Sequence, residues 1–251
     1  MRVFITGASS GIGAALARHY GARGATLGLL ARREAALRDV GRSTGAPFEA
    51  YACDVTDLAA VKAASEHFIG THGLPDIVIA NAGISFGTLT GEAEDIRTFG
   101  EILAVNVTGI VHSFHPFIAG MRTRGAGKLV GIASVAGYRG LPGAGAYSAS
   151  KAAAISYLES LRGELHRSGV RVTTVCPGYV ATPMTQRNPY RMPFLMGADD
   201  AARRIAHVID SGRSYAVIPW QMAIVARLLR LVPNRVFDHF ASRASRKPRR
   251  G

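Results

Sequence analysis

Residues 6–13 of the chain read TGASSGIG, and this stretch decides the fold. It directly follows the short apolar run 2–6 and leads into residues 12–20, whose apolar side chains recur at helical spacing. Glycines between a strand and a helix let the backbone turn tightly and approach a pyrophosphate, whose charge is stabilised by the unpaired N–H groups of the helix N-terminus. The stretch therefore predicts a dinucleotide-binding loop, with an ordinary glycine-rich turn as the weaker alternative.

Short apolar runs alternate with segments of helical periodicity along the rest of the chain. The predicted strands are residues 2–6, 25–31, 48–53, 77–80, 128–133, 170–176 and 215–218. The segments with helical spacing are residues 12–20, 58–68, 96–117 and 147–165. Strands that are apolar throughout are typical of a parallel sheet covered on both faces. The pattern predicts an α/β fold, a doubly wound Rossmann-type parallel sheet of seven strands with helices on both faces.

The composition is that of a globular protein. Of the 251 residues, 48% are hydrophobic, a proportion that supports a sizeable core. The apolar run 3–5 follows Met1 so closely that no room is left for a secretion signal, and no uninterrupted apolar stretch reaches the ~18 residues needed to span a bilayer. Two dispersed cysteines, Cys53 and Cys176, favour a reducing compartment. We therefore expect a cytoplasmic protein.

The chain shows no internal repeat and no linker that divides it. We expect residues 1–219 to form a catalytic, dinucleotide-binding domain, and residues 220–251 to form an amphipathic helix and a basic tail, within the same domain or as a peripheral extension. The Pro-containing stretch 177–196 follows a strand and is long enough to act as a substrate lid. No carboxylate or cysteine near His112 and His115 completes a metal-binding set, so we expect no metal site.

Further motifs follow residues 6–13 in order. They are Asp54-Val55 after the third strand, Asn81-Ala82-Gly83 after the fourth, Asn106 in the next helix, Ser134 after the fifth strand, Tyr147-Ser148-Ala149-Ser150-Lys151 where a helix opens, and Pro177-Gly178 with Thr182 after the sixth strand. Together they resemble the short-chain dehydrogenase/reductase family over residues 2–219. The resemblance implies a nicotinamide cofactor and chemistry at a carbonyl or secondary alcohol. One departure is Ala80, where many members of the family have a second Asn.

The resemblance also implies the site residues. The expected cofactor-binding residues are Gly7, Ser9, Ser10, Gly11, Ile12, Gly13, Arg32, Arg33, Asp54, Val55, Asn81, Ala82, Gly83, Tyr147, Lys151, Pro177, Gly178, Val180 and Thr182. The expected catalytic residues are Asn106, Ser134, Tyr147 and Lys151.

Tyr147 and Lys151 are four residues apart and share one face of a helix. A free tyrosine has a pKa of about 10, and we expect the ammonium of Lys151, helped by the positive charge of an oxidised nicotinamide, to stabilise the phenolate and lower the pKa of Tyr147. Ser134 would donate a hydrogen bond to the substrate oxygen. By the resemblance, Asn106 would hold a water that relays protons from Lys151. The alternatives are a surface Tyr–Lys pair and a helical Asn that satisfies a neighbouring backbone.

The end of the second predicted strand indicates which cofactor is used. In a dinucleotide fold, a carboxylate at this point accepts hydrogen bonds from the adenosine ribose and repels a 2′-phosphate. Ala31 stands in that position here, and Arg32 and Arg33 follow it. Because a guanidinium pairs well with phosphate, the sequence favours NADP(H) over NAD(H), with NAD(H) use and a solvated arginine pair as the alternatives.

Positive charge is concentrated near the C-terminus. The formal net charge is +13, and residues 201–251 hold eleven Lys or Arg residues against two acidic ones. We expect a solvated tail, with an anionic membrane as the alternative; nucleic acid is disfavoured because aromatic residues do not interleave the arginines. Residues 220–232 have helical periodicity, and we favour a role over the substrate pocket or at a subunit interface over one at a membrane surface. The predicted apolar half of this helix consists of Met222, Ile224, Val225, Leu228, Leu229, Leu231 and Val232.

Apolar and aromatic residues populate the loops expected around the pocket. They are Phe86, Tyr138, Leu141, Tyr179, Met184, Tyr190, Met192, Phe194, Leu195 and Met196. The main hypothesis is an NADP-dependent oxidoreductase, a homodimer or homotetramer, that acts on a small, apolar or lipid-like carbonyl or alcohol with Tyr147 as acid or base. The alternatives are a non-catalytic dinucleotide-sensing protein, expected to lack Tyr147 or Lys151, and a lipid-modifying reductase that contacts a membrane peripherally through its C-terminal helix.

Overall fold

The computed structural model of the chain describes residues 1–243 and 245–250. The strands in chain order are β1 (Arg2–Thr6), β2 (Thr26–Ala31), β3 (Phe48–Ala52), β4 (Ile77–Ala80), β5 (Gly127–Ile132), β6 (Val170–Pro177), β7 (Val180–Ala181), β8 (Met196–Gly197) and β9 (Tyr215–Ile218). Seven of them form a parallel sheet in the order β3-β2-β1-β4-β5-β6-β9, while β7 pairs with β8 in a separate two-stranded sheet. The predicted seven-stranded sheet is confirmed, and each predicted strand lies within one residue of its observed bounds.

Helices cover both faces of the sheet. They are α1 (Gly11–Gly21), α2 (Glu34–Ser43), α3 (Leu58–His72), α4 (Ala93–Leu103), α5 (Gly109–Arg124), α6 (Gly145–Glu164), α7 (Ala198–Asp210), α8 (Trp220–Leu231) and α9 (Asn234–Ala241). Buried side chains of α1, α2 and α7 form one core with the sheet, and those of α3, α5 and α6 form a second core on the opposite face. The doubly wound arrangement is therefore confirmed.

The central strands are buried because both of their faces are apolar. Val3, Phe4 and Ile5 of β1 are fully buried, and Ile5 belongs to one core while Phe4 belongs to the other. The strand order reverses between β1 and β4, so the loops that leave the carboxyl ends of these strands diverge and leave a crevice. Residues 6–13 and 81–83 lie at that crevice.

The predicted helix 96–117 is interrupted in the structure. A π-helical turn, Ala104–Thr108, separates α4 from α5. Such turns insert an extra residue into the helical ladder and cannot be recognised from apolar spacing alone. By length and composition, the continuous segment Ala93–Arg124 passes the test for a membrane-spanning helix. Its side chains Ile110, Phe114 and Phe117 are at most 2% exposed and pack in the core with the sheet, as in the core helix of a globular protein.

The C-terminal helix α8 packs through a narrow stripe. It lies against β9 and the short turn Val135–Gly137, and it buries Met222 and Ala226. Of the predicted apolar half, Ile224, Leu228 and Leu231 are exposed in the single chain, and Ala226, which lies outside that half, is buried. Because α8 lies at the edge of the sheet, only one row of its side chains contacts the rest of the protein. The apolar residues beside that row are exposed.

Candidate active site

The glycine loop between β1 and α1 lets a ligand approach its backbone. Gly7 and Gly11 have positive φ angles of +67° and +55°. A Cβ atom at Gly7 would lie 2.7 Å from the Cα atom of Ala82, and one at Gly13 would collide with the carbonyl oxygen of Gly7. The N-cap residue Ser10 makes no side-chain hydrogen bond to α1, which therefore presents backbone N–H groups and the positive end of its dipole. These features fit the pyrophosphate of a dinucleotide.

Asn81, directly after β4, ties together the two loops that border the crevice. Its side-chain amide donates to the carbonyl oxygens of Thr6 at 3.1 Å and Gly7 at 3.2 Å. Its backbone N–H donates to Oγ1 of Thr6 at 3.2 Å. The neighbouring Ala80, which departs from the family pattern, is 2% exposed and packs in the core, so its side chain does not enter the crevice.

A cleft of about 750 Å³ opens at this edge of the sheet. Its volume is within the range of cofactor and small-molecule sites, roughly 300–1,000 Å³. Most of the predicted site residues line it: Gly7, Ser9, Ser10, Gly11, Ile12, Arg32, Arg33, Asp54, Val55, Asn81, Ala82, Gly83, Tyr147, Lys151, Pro177, Gly178, Val180 and Thr182. Three others lie directly behind it: Gly13, Asn106 and Ser134.

The two arginines after β2 lie at one end of the cleft. Arg33 reaches across to the glycine loop, where its Nη2 donates to Oγ of Ser9 at 3.2 Å. Arg32 extends the other way, and its Nη1 lies 3.7 Å from Oδ2 of Asp54, with 69% of its side chain exposed. Since Ala31 carries no charge, this end of the cleft has two guanidinium groups and the single carboxylate of Asp54.

Tyr147 and Lys151 lie in the first two turns of α6 and line the cleft together. Nζ of Lys151 donates to the carbonyl oxygen of Ile132 at 2.8 Å and lies 5.8 Å from the centre of the Tyr147 ring. Burial lowers the pKa of Lys151 to about 8. Burial also raises the pKa of Tyr147, and a hydrogen bond with Ser134 acts in the opposite direction. The predicted lowering of the pKa of Tyr147 by Lys151 is not produced by the residues of the chain, because burial dominates both groups.

Asn106 lies fully buried in the π-helical turn. Its side-chain amide donates to the carbonyl oxygen of Ile84 at 3.0 Å and to Oγ of Ser150 at 2.9 Å. Its side-chain oxygen accepts from the N–H of Ile84 at 2.8 Å. These contacts match the alternative in which the Asn satisfies a neighbouring backbone, and they fix the loop after β4 against α6. The water-holding role stays a prediction.

The stretch 177–196 supplies one side of the cleft, where Met184 and Arg187 join Thr182. Among the ten apolar residues predicted around the pocket, Phe86 and Met184 line the cleft. The others do not line this cleft, and their place around a substrate stays a prediction: Tyr138, Leu141, Tyr179, Tyr190, Met192, Phe194, Leu195 and Met196. Tyr179 and Tyr190 pack edge to face on each other, with ring centres 6.3 Å apart.

The basic tail returns to the cleft and contacts it, although Pro248, Arg249 and Arg250 remain exposed, so the expectation of a solvated end holds only in part. Pro248, Arg249 and Arg250 line the cleft, and Nζ of Lys247 lies 5.1 Å from the centre of the Tyr147 ring. Sequence reasoning missed these residues. The available signal was the group of three acidic residues at 92–95, which complements a basic tail in charge, but a contact across more than 150 residues of chain has no local pattern.

Comparison with known proteins agrees with the site. The family model for short chain dehydrogenase matches residues 1–192. The chain belongs to this family, whose members bind nicotinamide dinucleotides and oxidise or reduce carbonyl and alcohol groups, so the predicted family and cofactor class are confirmed.

Two curated relatives and one crystal structure illustrate the similarity. An "Uncharacterized oxidoreductase" of Myxococcus xanthus is 38% identical over 95% of this chain and 95% of its own length. A "Putative ketoacyl reductase" of Streptomyces coelicolor is 32% identical over 90% of this chain and 93% of its own. The structure of a variant of actinorhodin polyketide ketoreductase with NADPH has a TM-score of 0.79 and 28% identity, covering 86% of this chain and 95% of that one.

Proposed function

We propose that the protein is an NADP(H)-preferring oxidoreductase that interconverts a carbonyl group and a secondary alcohol, with Tyr147 donating and accepting the proton. The observation that carries this proposal is the position of Tyr147. It lies beside Ser134 and Lys151 in the same cleft as the glycine loop. Membership of a family of carbonyl and alcohol oxidoreductases supports the same reaction class.

A nicotinamide cofactor, when bound, supplies or accepts the hydride. In the reductive direction, the hydroxyl groups of Tyr147 and Ser134 donate hydrogen bonds to the carbonyl oxygen, and these bonds strengthen as negative charge builds on that oxygen. Tyr147 then gives its proton to the oxygen. Its raised pKa keeps the hydroxyl protonated near neutral pH, which suits an acid. The ammonium of Lys151 stabilises the phenolate that remains.

The preference for NADP(H) rests on the charges beside β2. Arg32 and Arg33 line the cleft, and Ala31 removes the carboxylate that would repel a 2′-phosphate. A guanidinium in hydrogen-bonding reach of a phosphate forms a charge-assisted bond that NADH lacks the group to make. The actinorhodin ketoreductase structure, which contains NADPH, supports the same choice.

The substrate that we propose has an apolar body, for which Phe86 and Met184 offer apolar surface in the same cleft as Tyr147. The names of the Streptomyces coelicolor relative and of the actinorhodin enzyme, a ketoacyl reductase and a polyketide ketoreductase, support a keto group as the reacting function.

The test is a screen of aliphatic and aromatic ketones with NADPH and with NADH, followed by nicotinamide absorbance. We expect at least one ketone to be reduced, with a higher kcat/KM for NADPH than for NADH. A higher kcat/KM with NADH would contradict the cofactor preference. Absence of reduction of every ketone, together with absence of oxidation of the corresponding alcohols with NADP⁺, would contradict the reaction class.

We also propose that residues 1–219 and 220–251 form one functional unit, because the tail lines the same cleft as the glycine loop. The outward face of α8 is apolar at Trp220, Leu228 and Leu231, which are 64%, 58% and 77% exposed, and this favours burial against a second copy of the chain. In sedimentation experiments, the double variant L228E/L231E should then have a lower molecular mass than the wild type, because the assembly of two copies is lost. Loss of binding to anionic vesicles without a change in size would instead favour the membrane alternative.

A further inference from the structure

The C-terminal segment 245–250 runs along the loop that follows β4. The N–H of Gly87 donates to the carbonyl oxygen of Pro248 at 2.7 Å, and Gly87 and Arg249 form a parallel β-bridge. A Cβ atom at Gly87 would collide with the carbonyl oxygen of Lys247. The absence of a side chain at this position therefore permits the close approach of the segment to the cleft.

Two arginines hold the segment in place. The guanidinium of Arg249 lies 2.8 Å from Oδ2 of Asp95, 3.1 Å from Glu94 and 3.4 Å from Glu92. Asp95 is 3% exposed, so its charge is paired inside the protein rather than in water. Arg250 pairs with Glu101. These contacts fix the register of the segment, in which Lys247, two residues before Arg249, lies close to Tyr147.

Lys247 differs from these arginines in its surroundings. Its ammonium donates to Oγ of Ser85 at 2.6 Å and lies over the ring of Tyr147. Within residues 1–243 and 245–250, no carboxylate lies within 4 Å of Nζ. Burial lowers the pKa of Lys247 to about 8, so the group is mostly protonated near neutral pH. Burying a cation beside a neutral partner is unfavourable, and a bound anion would remove that cost.

We propose that Lys247 is a specificity-determining residue that binds the carboxylate of a keto acid substrate. This inference rests on the proposed function, since it assumes that the substrate carbonyl lies at Tyr147. The distance of 5.1 Å from Nζ to the Tyr147 ring places the carboxylate within a few bonds of the reacting carbonyl. The apolar part of the substrate then extends along Phe86 and Met184.

The experiment compares levulinate with its methyl ester, which has the same keto group and no charge, as substrates with NADPH. We expect the wild type to prefer levulinate, and Lys247→Met to lower the ratio of kcat/KM for acid over ester by at least about tenfold, the effect of one charge-assisted contact. Lys247→Arg, which keeps the charge, should have a ratio close to that of the wild type. Arg243→Met, a change of an exposed arginine in the same tail, should leave the ratio as it is.

A binding measurement separates failure of this inference from failure of the proposed function. Butanoate is titrated calorimetrically into the protein in the presence of NADPH, which requires no turnover. The inference predicts that butanoate binds at least about tenfold more weakly to Lys247→Met than to the wild type and to Lys247→Arg. Unchanged butanoate affinity in Lys247→Met, or an unchanged ratio of acid over ester, would overturn it even if the protein reduces ketones. An unchanged Tm verifies that each Lys247 variant is folded.

Discussion

At the scale of single residues, Tyr147 and Lys151 illustrate what a motif predicts and what it leaves out. Spacing by four residues predicts a shared helix face, and the structure has it. The spacing does not reveal that Nζ of Lys151 donates to Ile132, or that both groups are buried enough for desolvation to dominate their pKa values. Those properties come from the packing of β5 against α6, which the four-residue spacing within one helix does not reveal.

The two arginines after β2 lead to a prediction about cofactor choice. Arg33→Ala should raise the Kd for NADPH about tenfold or more, because a charge-assisted hydrogen bond contributes roughly 1.5–3 kcal/mol, and should change the Kd for NADH much less. Fluorescence titration measures both values. Arg38→Ala is the matched control, since Arg38 lies in α2, directly after Arg33, and pairs with Glu34. An equal loss of affinity for both cofactors would show that Arg33 does not contact the 2′-phosphate.

The depressed pKa of Lys151 leads to a prediction about pH. In the proposed site, the ammonium form hydrogen-bonds the cofactor ribose, and burial sets its pKa to about 8. The affinity for NADPH should therefore fall as the pH rises from about 7 through this pKa, since the neutral amine must first take up a proton. Lys247 also has a pKa of about 8. Lys247→Met should keep this dependence of NADPH affinity on pH, whereas Lys151→Met should remove it. Loss of the dependence in Lys247→Met and its retention in Lys151→Met would assign the titration to Lys247.

At the scale of elements, the strands could be predicted closely because uniformly apolar runs have few alternatives in a parallel sheet. The interruption between α4 and α5 could not, because it depends on an extra residue in the helical ladder near Asn106 and not on hydrophobic spacing. For a related reason, the apolar spacing of α8 does not show which of its side chains are buried in the chain. A helix at the edge of a fold buries only the stripe that its neighbours reach, here Met222 and Ala226.

One arginine attaches the two C-terminal helices to the rest of the protein. The guanidinium of Arg139 donates to the carbonyl oxygens of Leu229 and Val232 at the end of α8, and lies 3.9 Å from the ring centre of Phe237 in α9. It thereby satisfies carbonyl groups that a helix C-terminus leaves without partners.

Arg139→Ala should therefore lower the free energy of unfolding by about 2 kcal/mol, the loss of charged hydrogen bonds and a cation–π contact. For a chain of this size the change corresponds to a fall in Tm of roughly 4–8 °C. Calorimetry measures the shift. Arg227→Ala, an exposed arginine of α8, serves as the control and should move the Tm by about 1 °C or less. A similar Tm for both variants would mean that Arg139 does not anchor these helices.

At the scale of the whole molecule, the cleft joins segments that are far apart in sequence. The glycine loop, the loops after β4 and β5, and the start of α6 could be predicted from motifs, because each follows a recognisable strand. The C-terminal segment could not, since its pairing with residues 87 and 92–101 depends on tertiary structure. The motifs therefore locate the segments of the cleft that follow the strands, but not the C-terminal segment that completes it.

The attachment of the tail can be tested by proteolysis. Arg249→Ala removes the partner of three carboxylates, so the segment 245–250 should leave the cleft more often. Trypsin should then cleave after Arg243 and Arg246 several-fold faster than in the wild type, as followed by mass spectrometry. Arg235→Ala, in α9, is the control. Equal cleavage rates in the wild type and Arg249→Ala would show that these ion pairs do not hold the tail.

The proposed reaction depends most on Tyr147 as the group that transfers the proton. The decisive measurement is the rate of NADPH oxidation by Tyr147→Phe with a ketone that the wild type reduces, together with the Kd for NADPH. We predict a rate lower by roughly 10²–10⁴-fold, because the ring remains but its proton does not, and a Kd within about threefold of the wild type. A Tyr147→Phe variant that binds NADPH and reduces the ketone at nearly the wild-type rate would contradict the account.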